Sequence, residues 1–446
     1  MATAMPVVAA DLDAVREYGL AFTLFLIPLL LGVVVSGGWS DARGPSWPIR
    51  VGLVLFGGGL VVSGLAQSLA VLLLGRALAG AGGGLLIVAL YVVIAAVYPT
   101  SVQPKVFSYL SAGWVLPSLI GPALAGWLAQ EVTWRAVFLL VPPLTVPPAL
   151  ALLPRLRHVG PADRPATPGP SAGARVLAGV AVAVGVAVLQ WGLDGLSRDG
   201  GGSVAGLSGA GVAAGVLLVG LGLPRLLPAG TLRLRRGLPI AVVMRGLFAA
   251  TFFGAETFIP LMLVTHRGLR PTEAGLVLSA GAIGWTTGAI VQARPWMRMP
   301  RHWMLFTGGT LIGVGQCALV SVVRPGVPAW VAIPCWVLTA LAMGLGMSTT
   351  SVLTLRYSAP GEQGRNSSGL QLSDSLGSTV GIGLTGAAFA AWHRPGGDDS
   401  ALFTGMWLAC AAFAFCVGLA GLRARPRDVL GAEPVAEPVG GVRGAA

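Results

Sequence analysis

Apolar residues along this chain fall into blocks of about 20 residues, separated by short stretches rich in arginine, glycine and proline. A block of this length crosses the hydrocarbon core of a bilayer as an α-helix. In lipid the backbone must satisfy its own hydrogen bonds, so spans are helices or strands of a closed barrel. The alternating pattern of barrel strands is absent. The sequence therefore predicts an all-α integral membrane protein with thirteen spans, at roughly 18–38, 49–67, 69–97, 106–129, 134–153, 174–193, 203–223, 238–263, 272–293, 302–323, 328–350, 367–391 and 401–422.

The composition favours a membrane protein over a soluble one. Only 10% of the 446 residues are charged and 54% are hydrophobic, whereas a soluble domain carries about 25% charged residues. Glycine (66) and proline (32) are abundant, as is common where membrane helices pack closely or bend. The net charge of +12 comes mainly from arginines in the loops, so we interpret it as a topology signal and expect no nucleic-acid partner.

The residue types that bind metals or form disulfides show no pattern for either role. The four cysteines lie within apolar blocks, and the four histidines are scattered over different loops and span edges. We therefore expect no metal site, no disulfide framework and no bound cofactor. The residues concerned are Cys317, Cys335, Cys410, Cys416, His158, His266, His302 and His393.

The distribution of arginine and lysine between alternate loops predicts the orientation of the spans. One set of loops holds 20 of these residues and the other holds 7, while Arg76 and Arg245 lie inside spans. Because cytoplasmic loops carry the excess of basic residues, the richer side should be cytoplasmic, in a cell membrane. The tail at 423–446 should then be cytoplasmic and disordered. Thirteen spans leave the N-terminus outside, so we expect residues 1–10 to be the outer end of a first helix that is largely missing.

Loop composition divides the chain into two bundles and an insert. A Pro/Gly/Arg-rich linker at 154–173 and a basic loop at 224–237 flank a helical hairpin at 174–223, which has a plain Val, Ala, Gly and Leu composition. We interpret this hairpin as a pair of helices inserted between an N-terminal bundle (1–153) and a C-terminal bundle (238–422), outside the working core.

A weak internal repeat supports two related bundles. When the chain is shifted by 251 residues, residues 37–64 align without a gap on residues 288–315. Transporters often show such symmetry; coincidence between two similar loops is the alternative. The identities pair Gly37, Ala42, Arg43, Arg50, Gly57, Gly58, Leu60 and Gly64 with Gly288, Ala293, Arg294, Arg301, Gly308, Gly309, Leu311 and Gly315.

Three motifs lie at the ends of or within the N-terminal spans. A carboxylate and an arginine after the first span would form a charge latch between two arrangements of the bundles; an ordinary topogenic loop is the alternative. An arginine within the third span needs a carboxylate or water, unless it snorkels. Small residues and prolines in the fourth span permit close helix contact and a bend. The first motif consists of Gly37, Asp41, Arg43 and Gly44, the second of Arg76 and Gly80, and the third of Gly113, Gly121, Pro122 and Gly126.

These motifs resemble those of the major facilitator superfamily, and within it the fourteen-helix drug:proton antiporter branch, over nearly the whole chain. The departures are Ala42 and Pro45, where the first motif is usually basic, and Pro117 and Ala125, where the third usually has glycine. The resemblance implies two pseudo-symmetric six-helix bundles that work by alternating access. It also implies a small-molecule substrate and a proton gradient as the energy source. We expect a monomer in the lipid bilayer.

Two acidic residues, Glu256 and Asp374, lie within C-terminal spans. Facing lipid would be costly for either, so we expect both to face the bundle interior or a water-filled path and, with Arg76, to couple transport to proton movement. A static polar contact is the alternative for each acid. Arg245 is about 16 Å of helix rise from Glu256 and cannot be its partner along that helix.

Several side chains within spans are candidates for a substrate cavity. Aromatic and thioether groups suit amphipathic molecules and organic cations, and a stripe of polar residues spaced like one helix face surrounds Asp374. Packing against lipid is the alternative for any one of the aromatic residues. The candidates are Tyr91, Trp114, Trp285, Met343, Gln371, Ser375 and Ser378.

The sequence thus favours a proton-coupled exporter of small amphipathic molecules. An importer of a polar metabolite from the same superfamily is the alternative, although more buried Asn, Gln and charge would be expected for it. A membrane-embedded enzyme is the alternative from another class. No nucleophile–base pair, metal cluster or soluble catalytic domain in the sequence supports it.

Overall fold

The computed structural model describes residues 2–98, 117–158, 172–198, 203–228, 230–358, 363–394 and 397–425, and this part of the chain is helical without β-strands. Short π-helical turns at Ala129–Thr133 and Met262–His266 follow α5 and α10. The α-helices are α1 (Met5–Asp11), α2 (Leu20–Arg43), α3 (Ser46–Gly64), α4 (Leu69–Val97), α5 (described over 117–128), α6 (Trp134–Leu139), α7 (Val141–Leu152), α8 (Ala172–Arg198), α9 (Ser203–Leu226), α10 (Leu238–Leu261), α11 (Pro271–Ala293), α12 (Arg301–Val323), α13 (Ala332–Tyr357), α14 (Gln363–Trp392) and α15 (Ser400–Gly421).

Within the described residues, ten helical stretches are long and apolar enough to cross a bilayer, which confirms the prediction of an all-α membrane protein. Two predicted spans, 106–129 and 134–153, correspond to the single stretch Pro117–Leu152, and the first falls partly outside the described residues. α8 holds a shorter apolar stretch. α14 is helical as predicted, but its polar stripe makes it less apolar than the ten.

Basic residues lie at the helix ends on one side of the bundles. α2 ends at Arg43, α12 begins at Arg301, and Arg356 lies in the last turn of α13. We call the side of the bundles that carries these ends the arginine-rich face. The starts of α10 and α14 belong to it because successive spans alternate in direction. The other side, where α2 and α11 begin, is called the opposite face.

Glycines mediate the packing of the N-terminal bundle. A Cβ atom on Gly80 or Gly84 of α4 would collide with backbone carbonyl oxygens of α2, and Gly75 of α4 faces Gly59 of α3 in the same way. Small residues let membrane helices approach until their backbones touch. Gly80, a predicted motif residue, is therefore a packing residue between α2 and α4.

The C-terminal bundle repeats this arrangement. Gly288 of α11 abuts the carbonyl of Leu341, and Gly344 of α13 abuts that of Trp285, so α11 packs against α13 as α2 packs against α4. α10 packs against α14, and α12 against α15. The same glycine-mediated helix pair in each half fits the prediction of two pseudo-symmetric bundles.

The predicted hairpin consists of α8 and α9, and α8 lies across the seam between α2 and α14. Apolar residues of all three helices form one buried cluster, which includes Ile27, Val186 and Leu376. Gln190 of α8 donates a hydrogen bond to the carbonyl oxygen of Thr379 in α14, at 3.3 Å. One helix of the hairpin thus contacts both bundles. Its place outside the working core stays a prediction.

Candidate functional site

The two bundles meet near the opposite face through backbone-to-backbone contact. A Cβ atom built on Gly19, just before α2, would lie 2.8 Å from the Cα of Gly386 in α14, and Phe258 of α10 packs beside both glycines. Arg16 donates a hydrogen bond from Nε to the carbonyl oxygen of Ala390, at 3.1 Å. The α2–α14 seam is therefore closed at this level.

Tyr18 adds a hydrogen bond between the bundles at the same level. Its side chain is buried, and its hydroxyl donates to the carbonyl oxygen of Thr257 in α10, at 2.9 Å. The Tyr18 ring centroid lies 5.3 Å from that of Phe258. Together with the glycine contact, this bond fastens the start of α2 to α10 and α14.

A second contact between the bundles joins α5 to α11. A Cβ atom on Gly126 would collide with the carbonyl of Pro271, and one on Gly275 would collide with Pro122. Thr272 donates from Oγ1 to Oε1 of Gln130, at 3.0 Å. Pro122 and Gly126 belong to the third motif, and their packing partner is a helix of the other bundle.

The first part of the segment before α2 is buried near the opposite face. Thr3 and Ala4 have no exposed surface, and Thr3 donates from Oγ1 to the carbonyl of Pro122, at 2.7 Å. Asp11 accepts a hydrogen bond from Nε1 of Trp134, at 2.8 Å, and pairs with Arg135. α1 is thereby fastened to α5 and α6, next to the α5–α11 contact.

Arg76 lies inside the N-terminal bundle and does not snorkel to an interface, since only 6% of it is exposed. Its Nε donates to the carbonyl oxygen of Ala21, at 2.9 Å. Its guanidinium carbon lies 4.4 Å from the centre of the Phe25 ring, a cation–π contact. α2 therefore supplies a carbonyl and an aromatic face to a charge carried by α4.

Glu256 lies on α10 beside an aromatic cluster. It is partly exposed and follows Phe252 and Phe253 by one helical turn, so the three side chains share a face. Phe253 and Trp285 are also partly exposed, and the Trp285 ring lies 5.3 Å from that of Phe252 and 6.3 Å from that of Phe253. The buried ring of Trp336 stacks on that of Phe252.

Asp374 is paired with Arg245, a residue within α10 whose sequence position gives no sign of this partnership. Nε of Arg245 lies 3.0 Å from Oδ1 of Asp374, and both side chains are 16% exposed. Arg245 also donates from Nη1 to the Met347 carbonyl and to Ser351 Oγ, each at 3.1 Å. The pair connects α10, α13 and α14 in the half of the bundle near the arginine-rich face.

The other residues of the polar stripe differ in how far they are buried. Gln371 is partly exposed, like Asp374, whereas Ser375 and Ser378 are buried. Ser378 donates its hydroxyl proton to the carbonyl of Asp374, which satisfies it within its own helix. Met343 has no exposed surface and packs in the core of the C-terminal bundle. Contrary to the prediction, it therefore does not line an open cavity.

The first motif lies at the end of α2. Arg43 is exposed there, and Gly44 adopts φ 79°, a conformation that favours glycine. A Cβ atom on Gly37 or Gly121 would meet nothing within 4 Å. Gly113 and Trp114 lie outside the described residues, and the side chains of Asp41 and Tyr91 are likewise outside the described part.

Two histidines that looked scattered along the sequence lie beside neighbouring aspartates at the opposite face. His393 Nδ1 lies 2.8 Å from Asp399 Oδ2, and His266 Nδ1 lies 3.8 Å from Asp398 Oδ1. Hydrogen bonds from the side chain and backbone of Ser400 hold the pKa of Asp398 below its usual range. These contacts join α10, α14 and α15 of one bundle at their ends on the opposite face.

Ionisable side chains thus lie within two glycine-packed bundles that are joined at one face, an arrangement typical of membrane carriers with internal pseudo-symmetry. The family model of the Major Facilitator Superfamily matches residues 1–296 and again 241–441. The chain belongs to this superfamily, a family of membrane transporters, as the motifs predicted.

Several relatives carry the names of transporters. A Mycobacterium tuberculosis protein named "probable multidrug-efflux transporter" is 26% identical over 95% of this chain and 90% of its own length. A multidrug transporter protein of Bacillus subtilis is 23% identical over 87% of this chain and 71% of its own. An uncharacterized MFS-type transporter of Mycobacterium tuberculosis is 26% identical over 86% of this chain, which spans 56% of that relative.

Solved structures share the fold at low sequence identity. An auto-inhibited POT family peptide transporter superposes with a TM-score of 0.67 and 15% identity, covering 98% of this chain and 95% of its own. A POT family transporter in complex with 5-aminolevulinic acid gives a TM-score of 0.65 and 16% identity, over 91% of this chain and 86% of its own.

Proposed function

We propose that this protein is a proton-coupled exporter of small amphipathic cations. The observation that carries the proposal is the placement of Glu256 at membrane depth, partly exposed beside the rings of Phe253 and Trp285. Aromatic faces attract cations, and a carboxylate compensates their charge. A carboxyl group with limited access to water also takes up and releases protons more readily near neutral pH than an exposed one. Two relatives, one named a probable multidrug-efflux transporter and the other a multidrug transporter protein, support drug-like molecules as the substrates.

Proton and cation would compete for the same carboxylate. Binding of a cationic substrate favours ionised Glu256, and protonation removes the charge that holds the substrate. The two states are therefore exclusive, which is the requirement for antiport. Arg76 and Asp374 are the other charges that we propose to take part, the first in the N-terminal bundle and the second through its partner Arg245.

Alternating access would proceed by breaking the contacts at the opposite face. These contacts, made by Tyr18, Gly19 and Gly126, join the bundles on one side of the membrane. We propose that the arginine-rich face is cytoplasmic, so that the described arrangement is closed toward the outside. The return step would close the arginine-rich face, with Asp41 and Arg43 as part of its charge latch.

Transport by the purified protein in liposomes tests this function. An acid lumen should drive uptake of ethidium, an amphipathic cation, into protein-containing liposomes but not into protein-free liposomes with the same gradient. Uptake is followed by fluorescence, with and without a protonophore. If ethidium does not respond to the gradient and a polar dipeptide moves together with protons instead, the importer is correct and the exporter is wrong.

Rocking of two bundles also predicts which contacts of α8 must break. α8 packs against α2 where Gly179 meets Val34, and it is hydrogen-bonded to α14 through Gln190. We expect α8 to move with the C-terminal bundle. A disulfide between Val34→Cys and Gly179→Cys should then stop transport until it is reduced, whereas one between Gln190→Cys and Gly383→Cys should leave transport within about twofold.

Both disulfides are within reach. A Cβ atom on Gly179 lies 2.9 Å from that of Val34, and one on Gly383 lies 3.1 Å from Cγ of Gln190. The experiment uses a background in which the four native cysteines are replaced by alanine, and ethidium uptake is measured before and after reduction. If the α8–α14 disulfide blocks transport and the α8–α2 disulfide does not, α8 moves with the N-terminal bundle instead.

A further inference from the structure

We propose that Arg245 is a positioning residue for transport, which holds Asp374 and thereby fastens α14 to α10 and α13 until the charge of Asp374 is neutralised. This inference rests on the proposed function, because it takes Asp374 as a group that protons or substrate reach. Arg245 itself contacts no substrate in this proposal. It acts through the carboxylate.

The geometry of the guanidinium supports this role. Nε is directed to Asp374 on α14, while Nη1 is directed to the Met347 carbonyl and Ser351 Oγ on α13. An arginine presents its donors in a fixed planar fork, so one side chain can hold two helices in a defined register. Lysine offers a single point charge and cannot span the same contacts in the same way.

The position of the pair explains why its charge state matters. Both side chains keep 16% of their surface exposed, so the protein does not fully enclose the pair. A charge inside a membrane protein needs its partner, and removing one member leaves the other uncompensated. Among the described charged side chains of the helices that pack against α14, which are α2, α8, α10, α13 and α15, Arg245 is the one within ion-pair distance of Asp374.

Neutralisation of Asp374 would therefore release α14 selectively. A proton on the carboxylate, or a bound cation beside it, weakens the attraction between Asp374 and Nε, because a hydrogen bond between two ionised groups is stronger than one to a neutral carboxyl group. Arg245 stays charged and keeps its two hydrogen bonds to α13. α14 touches Gly19, just before α2, at Gly386 and is hydrogen-bonded to α8 at Thr379. Because α8 is expected to move with α14, a shift of α14 alters the contact at Gly386, which joins the bundles.

Three variants of the intact protein, compared in liposomes, test the proposal. Arg245→Ala should lower gradient-driven ethidium uptake at least tenfold while ethidium–ethidium exchange, which needs no net proton movement, stays within threefold of the unsubstituted protein. Arg245→Lys, which retains the charge, should lower driven uptake about threefold. The double variant in which the two residues trade places, Arg245→Asp with Asp374→Arg, should recover a substantial part of the driven uptake lost in Arg245→Ala. Arg236→Ala, an exposed arginine just before α10, is the control and should be unchanged.

The outcomes separate this proposal from the function it rests on. If the unsubstituted protein shows no gradient-driven uptake, the proposed function fails and this inference fails with it. If that uptake is present and Arg245→Ala equals it, only the positioning role is wrong. A merely structural role would lower exchange and driven uptake together in Arg245→Ala and Arg245→Lys, and this result would also overturn the proposal. Insertion is monitored by the yield of monodisperse protein in detergent.

Discussion

Ethidium uptake driven by an acid lumen is expected to fall at least tenfold in Glu256→Gln. Glutamine has nearly the same size as glutamate and keeps hydrogen-bonding capacity, but it neither ionises nor carries a proton. The variant therefore lacks both the charge that attracts a cation and the group that exchanges it for a proton. Because the aromatic cluster around Phe252 and Trp285 is unchanged, uncharged amphipathic dyes should still bind.

The Glu256 prediction has a matched control in the same protein. Glu131, between α5 and α6, is exposed and accepts a hydrogen bond from neighbouring Gln130, so Glu131→Gln should leave driven uptake unchanged. The combination of Glu256→Gln with Asp374→Asn should remove all dependence of uptake on the proton gradient. Full driven transport by this double variant would contradict the assignment of either acid to proton coupling.

Substitution of Gly126 by valine is expected to reduce transport at least tenfold by preventing closure at the opposite face. A Cβ atom at this position has no room beside the backbone carbonyl of Pro271, and backbone cannot move aside as a flexible side chain does. The α5–α11 contact would be wedged apart, leaving α11 more accessible from that side. Faster maleimide labelling of Thr272→Cys in the variant than in the parent would demonstrate the opening.

Gly121 provides the control for this prediction on the same helix. A Cβ atom there meets nothing within 4 Å, so Gly121→Val should retain transport within about twofold and leave the labelling of Thr272→Cys unchanged. Both glycines belong to the same motif and receive the same side chain. Equal activity of Gly126→Val and Gly121→Val would show that the α5–α11 contact is not required for the cycle.

Much of the fold was predictable because membrane helices are specified by length and hydropathy. The apolar blocks located the helices, including α14, where the polar residues around Asp374 interrupt the hydrophobicity. The partner of Asp374 was not predictable: Arg245 is 129 residues away in sequence, and only the packing of α10 against α14 brings the two together. A charged residue in each of two spans was the signal available for this pair.

The roles of individual glycines were also beyond the reach of the sequence. Gly121 and Gly126 satisfy the same motif, yet one faces open space and the other faces α11. The difference depends on the rotation of α5 relative to a helix of the other bundle. For the same reason, Met343 was a fair candidate for a cavity from its residue type, although its side chain points into the core.

The contact of Gly19 with Gly386 has a consequence for how the molecule opens. Beside the hydrogen bonds of Tyr18 and Arg16, the backbones of Gly19 and Gly386 and the ring of Phe258 pack closely together there. The dispersion attraction between packed surfaces decreases steeply with their separation, and a gap of 0.5–1 Å already removes roughly a quarter to a half of it. Separation at this point should therefore be abrupt, with few half-open molecules at equilibrium, and single-molecule distance measurements should find two narrow populations instead of one broad distribution.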